Sequence, residues 1–410
     1  MKFNKKIVFI TGLAALLLVS LGFYWGLHRQ ACPEIAFYNI DNKVQKAIIE
    51  TLEANLDQEF STITLDSNKS LNEQKKSLKK STLLIFTNSL ECINTLEGKG
   101  SKKALAQQLD RTFTEGFPSS VLNSLNNQKS KKSDDTILFL PFLFDFYQID
   151  VNLPFYQQSQ MEAIEVWDHL AEACYREIPF TKNPFVLPLG DDSSLLTTFG
   201  IFAEALSSYQ AYDQMLKEFE NAKTDDTIET ILKKYTEKEA CLDSVINELS
   251  SMISSGIIPK DSLKMNSENI TFLMDNDLCG MSLLKLSEHR QLSKDTSKHV
   301  SCIYCPSKSF TPERKFATEQ ISLALLQENT FGKKLVKALV ADFQGDLATK
   351  SGLAPVQKNC TVPDHQADDV RFWLAASKGP VMPFAQIFKS DQERKIAADY
   401  LRNLINSEIE

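Results

Sequence analysis

Residues 35–65 read IAFYNIDNKVQKAIIETLEANLDQEFSTITL, and this stretch decides the fold class. The mostly apolar residues 35–40 predict a buried strand, and Asp41 supplies an N-cap for the helix that follows. The apolar stripe of that helix contains Val44, Ala47, Ile48 and Leu52. Residues 61–65 alternate as a second strand. A strand, a helix and a strand in direct succession predict an α/β fold with a mainly parallel sheet.

Two further apolar stretches extend this pattern. Residues 82–89, TLLIFTNS, predict a strand buried on both faces that ends in a polar loop at the carboxyl edge of the sheet. Residues 137–147, ILFLPFLFDFY, are too short and too aromatic for a membrane helix. We interpret them as strand segments that cross from one lobe to the other. Further along the chain, apolar residues at helical spacing predict helices within 163–175, 194–208 and 228–253.

The length and the composition of the chain limit its class. A chain of 410 residues is too long for one compact core and predicts two lobes. Apolar residues make up 43% and charged residues 24%, as in ordinary globular proteins. The net charge of −8 offers no basic surface for a nucleic acid, so we exclude nucleic-acid binding.

The N-terminus predicts a membrane segment. Lys2, Lys5 and Lys6 precede an uncharged apolar run over residues 7–25, which is long enough to cross a bilayer and leaves the remainder outside the cytoplasm. We favour an uncleaved signal anchor with a juxtamembrane segment over residues 1–31. Cleavage after Gly22 is an alternative, although it leaves aromatic residues at the mature end. Lipidation of Cys32 is a weaker alternative, because the polar residues before it do not fit a lipobox.

The sequence contains no set of residues that predicts an enzyme. It has no G-x-S-x-G, no Gly-rich phosphate loop and no H-E-x-x-H, and its five histidines are dispersed. Cys302 and Cys305 form a lone C-x-x-C that Pro306 follows, so we expect buried strand cysteines and not a redox or zinc motif. The other cysteines are scattered and predict no disulfide framework. We therefore predict no cofactor and no metal.

Several segments in order resemble one family. They are the strand at 82–87, the crossing at 140–145, the helix start VWDHL at 166–170, the loop PFVLPLGD at 184–191, the late strand at 321–325, the helix at 332–340 and the turn GLAPV at 352–356. Together these residues resemble the family 1 extracellular solute-binding proteins of ABC transporters, the maltose-binding-protein-like group. The resemblance runs from about residue 34 to residue 405. Val151 departs from it, because the family usually has Tyr there.

The resemblance implies a two-lobed periplasmic-binding-protein-like α/β fold. The implied first lobe contains residues 32–141 and about 305–330, and the second contains residues 142–304 and 331–410. The strand near residues 320–326 is expected to return to the first lobe.

Such proteins bind their ligands between the lobes, at the carboxyl ends of strands and in the crossing segments. This rule selects a set of candidate ligand-binding residues: Asn39, Asp41, Asn88, Ser89, Phe144, Asp145, Tyr147 and Trp373. The alternative for each aromatic residue is packing in the core. Only three Trp residues occur, which weakens the expectation of a carbohydrate ligand, although Tyr and Phe can replace Trp in stacking on a sugar.

The resemblance implies an extracytoplasmic solute-binding component of an ABC importer. Its expected partners are a small solute, with a sugar as one option, a permease in the cytoplasmic membrane, and the membrane itself through the N-terminal helix. We expect a monomer with its globular part in the periplasm or outside the cell. The alternative is a membrane-tethered ectodomain that acts as a sensor or an interaction module without transport.

Overall fold

The structure is a computed structural model that describes residues 32–409 apart from 68, 79–80, 99–103, 128–135, 157–163, 223–226, 310–312 and 389. The predicted anchor over residues 1–31 lies outside the described residues. Within the described ranges, no helix is both long enough and apolar enough to span a bilayer.

The first strand–helix–strand unit forms as predicted. Strand β1 (Glu34–Tyr38) pairs in parallel with β2 (Ser61–Leu65) and with β3 (Thr82–Thr87). Helix α1 (Asn42–Asn55) begins at Asp41, whose carboxylate accepts from the backbone N–H groups of Lys43 and Val44. That cap satisfies two of the otherwise unbonded N–H groups of the first turn.

The remaining strands are β4 (Leu109–Asp110), β5 (Thr136–Ile137), β6 (Leu140–Asn152), β7 (Phe185–Val186), β8 (Met281–Lys285), β9 (Val300–Ile303), β10 (Phe316–Leu325), β11 (Ala354–Pro355) and β12 (Pro380–Val381).

The remaining helices are α2 (Leu71–Gln74), α3 (Leu90–Glu97), α4 (Ser119–Asn127), α5 (Trp167–Glu177), α6 (Asp192–Leu206), α7 (Tyr209–Glu220), α8 (Ile228–Tyr235), α9 (Cys241–Ser254), α10 (Ser267–Asp275), α11 (Leu286–His289), α12 (Thr330–Val340), α13 (Gln344–Ser351), α14 (His365–Ala376) and α15 (Asp391–Ile409). Short 3-10 turns lie at Arg111–Thr114, Lys260–Lys264, Thr296–Lys298 and Phe384–Ile387.

One predicted helical region is divided into two helices. Residues 228–253 show a continuous apolar stripe, but α8 ends at Tyr235 and α9 begins at Cys241. Between them Glu239 has a φ of 70°, and its backbone N–H donates to the Asp243 carboxylate at 2.9 Å. A helix cannot continue through that left-handed residue, so the apolar residues of this region are divided between two separate helices.

Ten strands form a continuous sheet in the order β2-β1-β3-β10-β6-β8-β7, with β11 and β9 added to β6 and β12 added to β10, while β4 and β5 pair only with each other. Strand β10 is antiparallel to β3, with Ser322 opposite Thr87. The expected return of this late strand to the first strands is therefore confirmed. Strands β6 and β10 also pair with each other, so two long antiparallel strands join both halves of the molecule.

Two large apolar cores lie along these long strands. The first core contains side chains from β1, β3, the N-terminal half of β6, and β10. The second contains Ile149 and Val151 of β6 together with α5–α9, β8 and α15. The crossing predicted near residues 140–147 is one strand whose side chains change core between Phe146 and Ile149.

The predicted assignment of residues 331–410 to the second lobe differs from this packing. Leu335, Leu347 and Val370, from helices α12, α13 and α14, all lie in the first core, while α15 lies in the second. Helix α12 packs against β6 and β10, α13 packs against α1, and α14 packs against α4 and β11. Sequence order alone does not show which core these helices join.

The eight cysteines carry free thiols, as the scattered spacing predicts. Cys302 lies on β9, within the predicted strand. Cys305 follows that strand and is buried in the second core.

Candidate functional site

A cavity of about 280 Å³ lies between α3, which packs on a small core with β1 and β3, and α7, which belongs to the second core. Helix α3 and the loop before it form one wall, and helix α7 forms the opposite wall. The lining residues are Asn88, Leu90, Ile93, Asn94, Glu97, Asp213, Leu216, Lys217, Glu220, Lys315, Thr318, Gln320, Pro380, Val381, Met382 and Gln386. A ligand in this cavity would touch both halves of the molecule.

Residues near the end of β3 determine the position of α3, which forms the first wall of the cavity. Strand β3 ends at Thr87, and Ser89 caps α3 by accepting from the backbone N–H of Cys92 at 3.4 Å. Cys92 and Leu96 on the inner face of α3 are buried in a small core with β1 and β3. The outer face of α3 therefore presents Ile93 and Asn94 to the cavity.

The second wall comes from α7 and the segment Pro380–Met382. Ser208 caps α7 by accepting from the backbone N–H of Ala211 at 3.2 Å. The Tyr212 hydroxyl donates to the Met382 carbonyl oxygen at 2.9 Å, which ties the two parts of this wall together. Leu216 and Val381 then form an apolar surface on the cavity side.

Side-chain amides supply most of the uncharged polar groups of the cavity, through Asn88, Asn94, Gln320 and Gln386. The Asn94 Oδ1 atom is buried and has no hydrogen-bond partner among the described residues. A buried acceptor without a partner is costly, so a ligand that donates a hydrogen bond here is favoured. An amide can serve a ligand hydroxyl both as donor and as acceptor.

The two lysines that line the cavity are both paired with the same aspartate, on the α7 side. Lys315 Nζ lies 2.8 Å from Asp213 Oδ2, and Lys217 Nζ lies 3.7 Å from the same oxygen. Lys315 also lies over the Tyr209 ring, 5.4 Å from its centroid. These contacts hold the lysines on the second wall, so the cavity offers no unpaired cationic cluster of the kind that binds a phosphate.

Of the eight residues selected from the sequence, Asn88 lines the cavity. Asn39, whose φ is 55°, donates from Nδ2 to Asn88 Oδ1 at 2.7 Å and so orients the Asn88 amide. Asp41 and Ser89 act as the helix caps of α1 and α3. These four residues do lie where the ends of β1 and β3 meet, as the strand-end rule predicts.

The four candidates from the crossing and from α14 lie elsewhere. Phe144 is fully buried in the first core. Trp373 packs against Phe146 and Tyr304, each with ring centroids 5.6 Å apart. The convergence of these side chains with Asn88 around one cavity is not found, because alternate residues of β6 point into the core or into a polar network.

That polar network contains the other two candidates. Asp145 accepts from the backbone N–H and the hydroxyl of Ser287 at 2.9 and 2.6 Å, and Tyr147 donates to Glu319 Oε1 at 2.6 Å. Lys285 Nζ lies 3.4 Å from the same glutamate oxygen. Burial raises the pKa of Asp145 to about 6, with the Lys285 charge opposing it. The network joins β6, β8 and β10 at the crossing.

No sequence pattern indicated the second wall of the cavity. No motif distinguishes Asp213, Leu216 and Met382 from ordinary helix and loop residues. The polar end of β3 was the only local signal that pointed to this cavity.

No family model matches the chain, and no curated protein matches its sequence. Solved structures do match its fold. The bacterial solute receptor AcbH, described as exclusively preferring β-D-galactopyranose, is 11% identical with a TM-score of 0.66, and the match covers 92% of this chain and 99% of AcbH. The binding protein MsmE of Bacillus subtilis, in an open conformation, is 12% identical with a TM-score of 0.67, covering 92% and 93%.

A third structure, apo RafE from Streptococcus pneumoniae, is 12% identical with a TM-score of 0.63, and the match covers 93% of this chain and 97% of RafE. RafE has also been solved with raffinose bound. At these identities the likeness concerns the fold. The chain has the mixed α/β fold of the two-lobed family 1 solute-binding proteins, as the sequence resemblance implied.

Proposed function

We propose that this chain is the extracytoplasmic solute-binding component of an ABC importer and that it captures a small sugar in the cavity between α3 and α7. The observation that carries the proposal is the position of that cavity, between α3 of the small core and α7 of the second core. The likeness in fold between this chain and receptors described with galactopyranose and raffinose supports a carbohydrate as the ligand. The proposed activity is binding and delivery, without a catalytic step.

The lining favours a sugar over a charged solute. Amides at Asn88, Asn94 and Gln320 can bond to hydroxyl groups, and Asn94 Oδ1 needs a donor. Ligand pockets typically measure about 300 to 1,000 Å³, so a cavity near the lower limit suits a mono- or disaccharide in this conformation. None of the described lining residues is aromatic. We therefore expect Leu90, Ile93 and Leu216 to contact the apolar face of the sugar in place of a stacked ring.

Isothermal titration of the purified full-length chain with galactose, maltose and raffinose tests this function. We expect one sugar to bind with 1:1 stoichiometry. Asn94→Ala should weaken that binding roughly fivefold, the equivalent of one hydrogen bond. Asn123→Ala, at an exposed position of α4, is the matched control and should bind as the unaltered chain does.

Absence of binding by a folded chain across a wider panel of mono- and oligosaccharides would contradict the carbohydrate proposal. The tethered sensor or interaction module would then be the better account. Equal affinity of Asn94→Ala and the unaltered chain would place the sugar outside the cavity.

We further propose that residues 1–31 tether the lobes to the outer face of the cytoplasmic membrane, where the permease partner lies, and that the receptor is a monomer. The Lys-flanked apolar run at residues 7–25 supports the tether. The mass of the mature protein tests it. A chain that begins at Phe23 would show cleavage, and one that begins at an acylated Cys32 would show lipidation. Light scattering of the purified protein reports the oligomeric state.

A further inference from the structure

A second polar site lies on the strands of the second lobe, and the proposed sugar cavity does not use it. Asp150 on β6 lies opposite Cys302 on β9, and His289 at the end of α11 reaches the same point. His289 Nδ1 lies 2.6 Å from Asp150 Oδ2, and Cys302 Sγ lies 3.2 Å from Asp150 Oδ1. One carboxylate thus accepts from both an imidazole and a thiol.

We propose that Asp150, His289 and Cys302 form a binding site for a divalent transition metal ion, with Zn²⁺ as the best fit. Their potential ligand atoms all lie within 4.8 Å of one another. The ligands of a tetrahedral zinc ion lie about 3.3 to 3.8 Å apart, as the usual Zn–N, Zn–O and Zn–S bond lengths imply. The two distances to the Asp150 carboxylate, 2.6 Å from His289 Nδ1 and 3.2 Å from Cys302 Sγ, need to lengthen by less than about 1 Å to admit the ion.

The balance of charge favours a metal here. Asp150 and His289 are buried, with exposures of 0% and 3%. Zn²⁺ bound to one carboxylate, one thiolate and one neutral imidazole has no net charge, so the filled site avoids the cost of a buried ion. Binding releases the thiol proton of Cys302 to solvent, and the imidazole proton moves from Nδ1 to Nε2 so that the unprotonated Nδ1 can bind the ion. The donor set of sulfur and nitrogen excludes Mg²⁺ and Ca²⁺, which prefer oxygen ligands.

Gln148 provides an independent indication of a ligand. It lies two residues before Asp150, so both side chains project from the same face of β6. Gln148 Nε2 is 2.8 Å from Asp150 Oδ1 and 3.0 Å from Cys302 Sγ, while its Oε1 is buried with no hydrogen-bond partner among the described residues. A half-turn of the terminal amide exchanges the two atoms and brings that oxygen to the position that Nε2 now holds beside Asp150 and Cys302, where it can be the fourth ligand.

A second amide approaches the sulfur from outside the ligand set. Gln366 Nε2 donates to Cys302 Sγ, and Gln366 Oε1 accepts from Arg290 Nη1 at 2.9 Å. Arg290 thereby fixes the orientation of that amide, so an N–H group always faces the sulfur. Amide donors of this kind stabilise metal-bound thiolates and orient them. Gln366 belongs to α14 of the first core, so an occupied site would also stabilise the contact between the lobes.

The spacing of the ligands explains why the sequence predicted no metal. His289 is 139 positions from Asp150, and Cys302 is 152 positions from it. In the sequence, Cys302 stands out only through its C-x-x-C spacing with Cys305, and Cys305 is not part of this cluster.

Titration of the purified, metal-free, full-length chain with Co²⁺ and then Zn²⁺ tests the site. We expect one Co²⁺ per chain with a thiolate-to-cobalt charge-transfer band, and displacement of that band by one equivalent of Zn²⁺. Cys302→Ser should abolish the band, and His289→Gln should weaken binding at least tenfold. Cys305→Ser, three residues away on the same segment, is the matched control and should keep both the band and the stoichiometry.

Failure of the unaltered chain to bind one equivalent of either metal would overturn the site without reference to any variant. A band that persists in Cys302→Ser would move the site to another cysteine, such as the exposed Cys32. Circular dichroism of each variant separates loss of the metal from loss of the fold. Zn²⁺ should also raise the melting midpoint of the unaltered chain and of Cys305→Ser, but not that of Cys302→Ser.

Discussion

Tyr147 donates a hydrogen bond to Glu319 Oε1 at 2.6 Å and thereby joins the two long strands that run through both halves of the molecule. Burial and the adjacent carboxylate raise the pKa of Tyr147 well above its usual value, so the hydroxyl keeps its proton. The sequence suggested that this tyrosine contacts a ligand. Its hydrogen bond indicates instead that it holds β6 and β10 in register.

Tyr147→Phe should therefore reduce stability and leave ligand affinity unchanged. Removal of a hydrogen bond to a charged acceptor costs about 1.5 to 3 kcal/mol, and Lys285 remains as a partner for Glu319. Urea unfolding measures the loss, and sugar titration measures the affinity. Tyr175→Phe, at a position that is 61% exposed, is the control and should change neither quantity. Weaker sugar binding by Tyr147→Phe at unchanged stability would restore this residue to the binding site.

Trp373→Ala should also act on stability. The half-buried indole packs against Phe146 and Tyr304, so truncation removes two aromatic contacts and leaves a partial cavity. We expect a loss of about 2 kcal/mol, below the range for a fully buried Trp. Phe372→Ala changes the adjacent residue of the same helix, which is 69% exposed, and should have little effect. The comparison of the two unfolding midpoints checks this assignment, which equal losses would contradict.

Asp145 should make stability fall as the pH rises. Burial raises its folded-state pKa to about 6, above the unfolded value of about 3.9. The folded state then binds more protons between those values, so this contribution to stability is complete below pH 4 and is lost as the pH passes 6. Asp145→Asn removes this dependence.

Urea unfolding at several values between pH 4 and pH 7 measures the difference between Asp145→Asn and the unaltered chain. The stability of the variant relative to the unaltered chain should increase with pH across that interval. Asp261→Asn, at an exposed position, should parallel the unaltered chain. Parallel curves for all three proteins would show that Asp145 titrates in the folded state as it does in the unfolded state.

The buried ion pair between Arg314 and Glu204 should be essential for folding stability. Arg314 Nε lies 2.8 Å from Glu204 Oε1, and both side chains are buried. Glu204→Gln leaves an unpaired buried guanidinium and should cost about 3 to 5 kcal/mol. Glu313→Gln breaks the half-exposed pair with Lys378 and should cost less than about 1 kcal/mol. Chemical denaturation compares the two variants, and similar small losses would mean that solvent reaches Arg314.

Much of the fold was readable in short stretches of sequence. The strands at 35–40, 61–65 and 82–87, the cap at Asp41 and the return of the strand near residue 320 all follow from local periodicity or from the order of motifs. The lobe assignment of α12, α13 and α14 did not follow. The apolar periodicity of an amphipathic helix predicts which face is buried, but it does not predict against which of two cores that face packs.

Local sequence specifies the strand–helix alternation, the helix caps and the polar ends of β1 and β3, because each depends on residues within a few positions of one another. Tertiary structure alone decided which side chains meet. It placed α7 across from Asn94, enclosed Tyr147 in a polar network, and brought Asp150, His289 and Cys302 together. Those contacts depend on strand register and on the packing of the lobes, which arise from many weak interactions between distant segments and leave no local pattern.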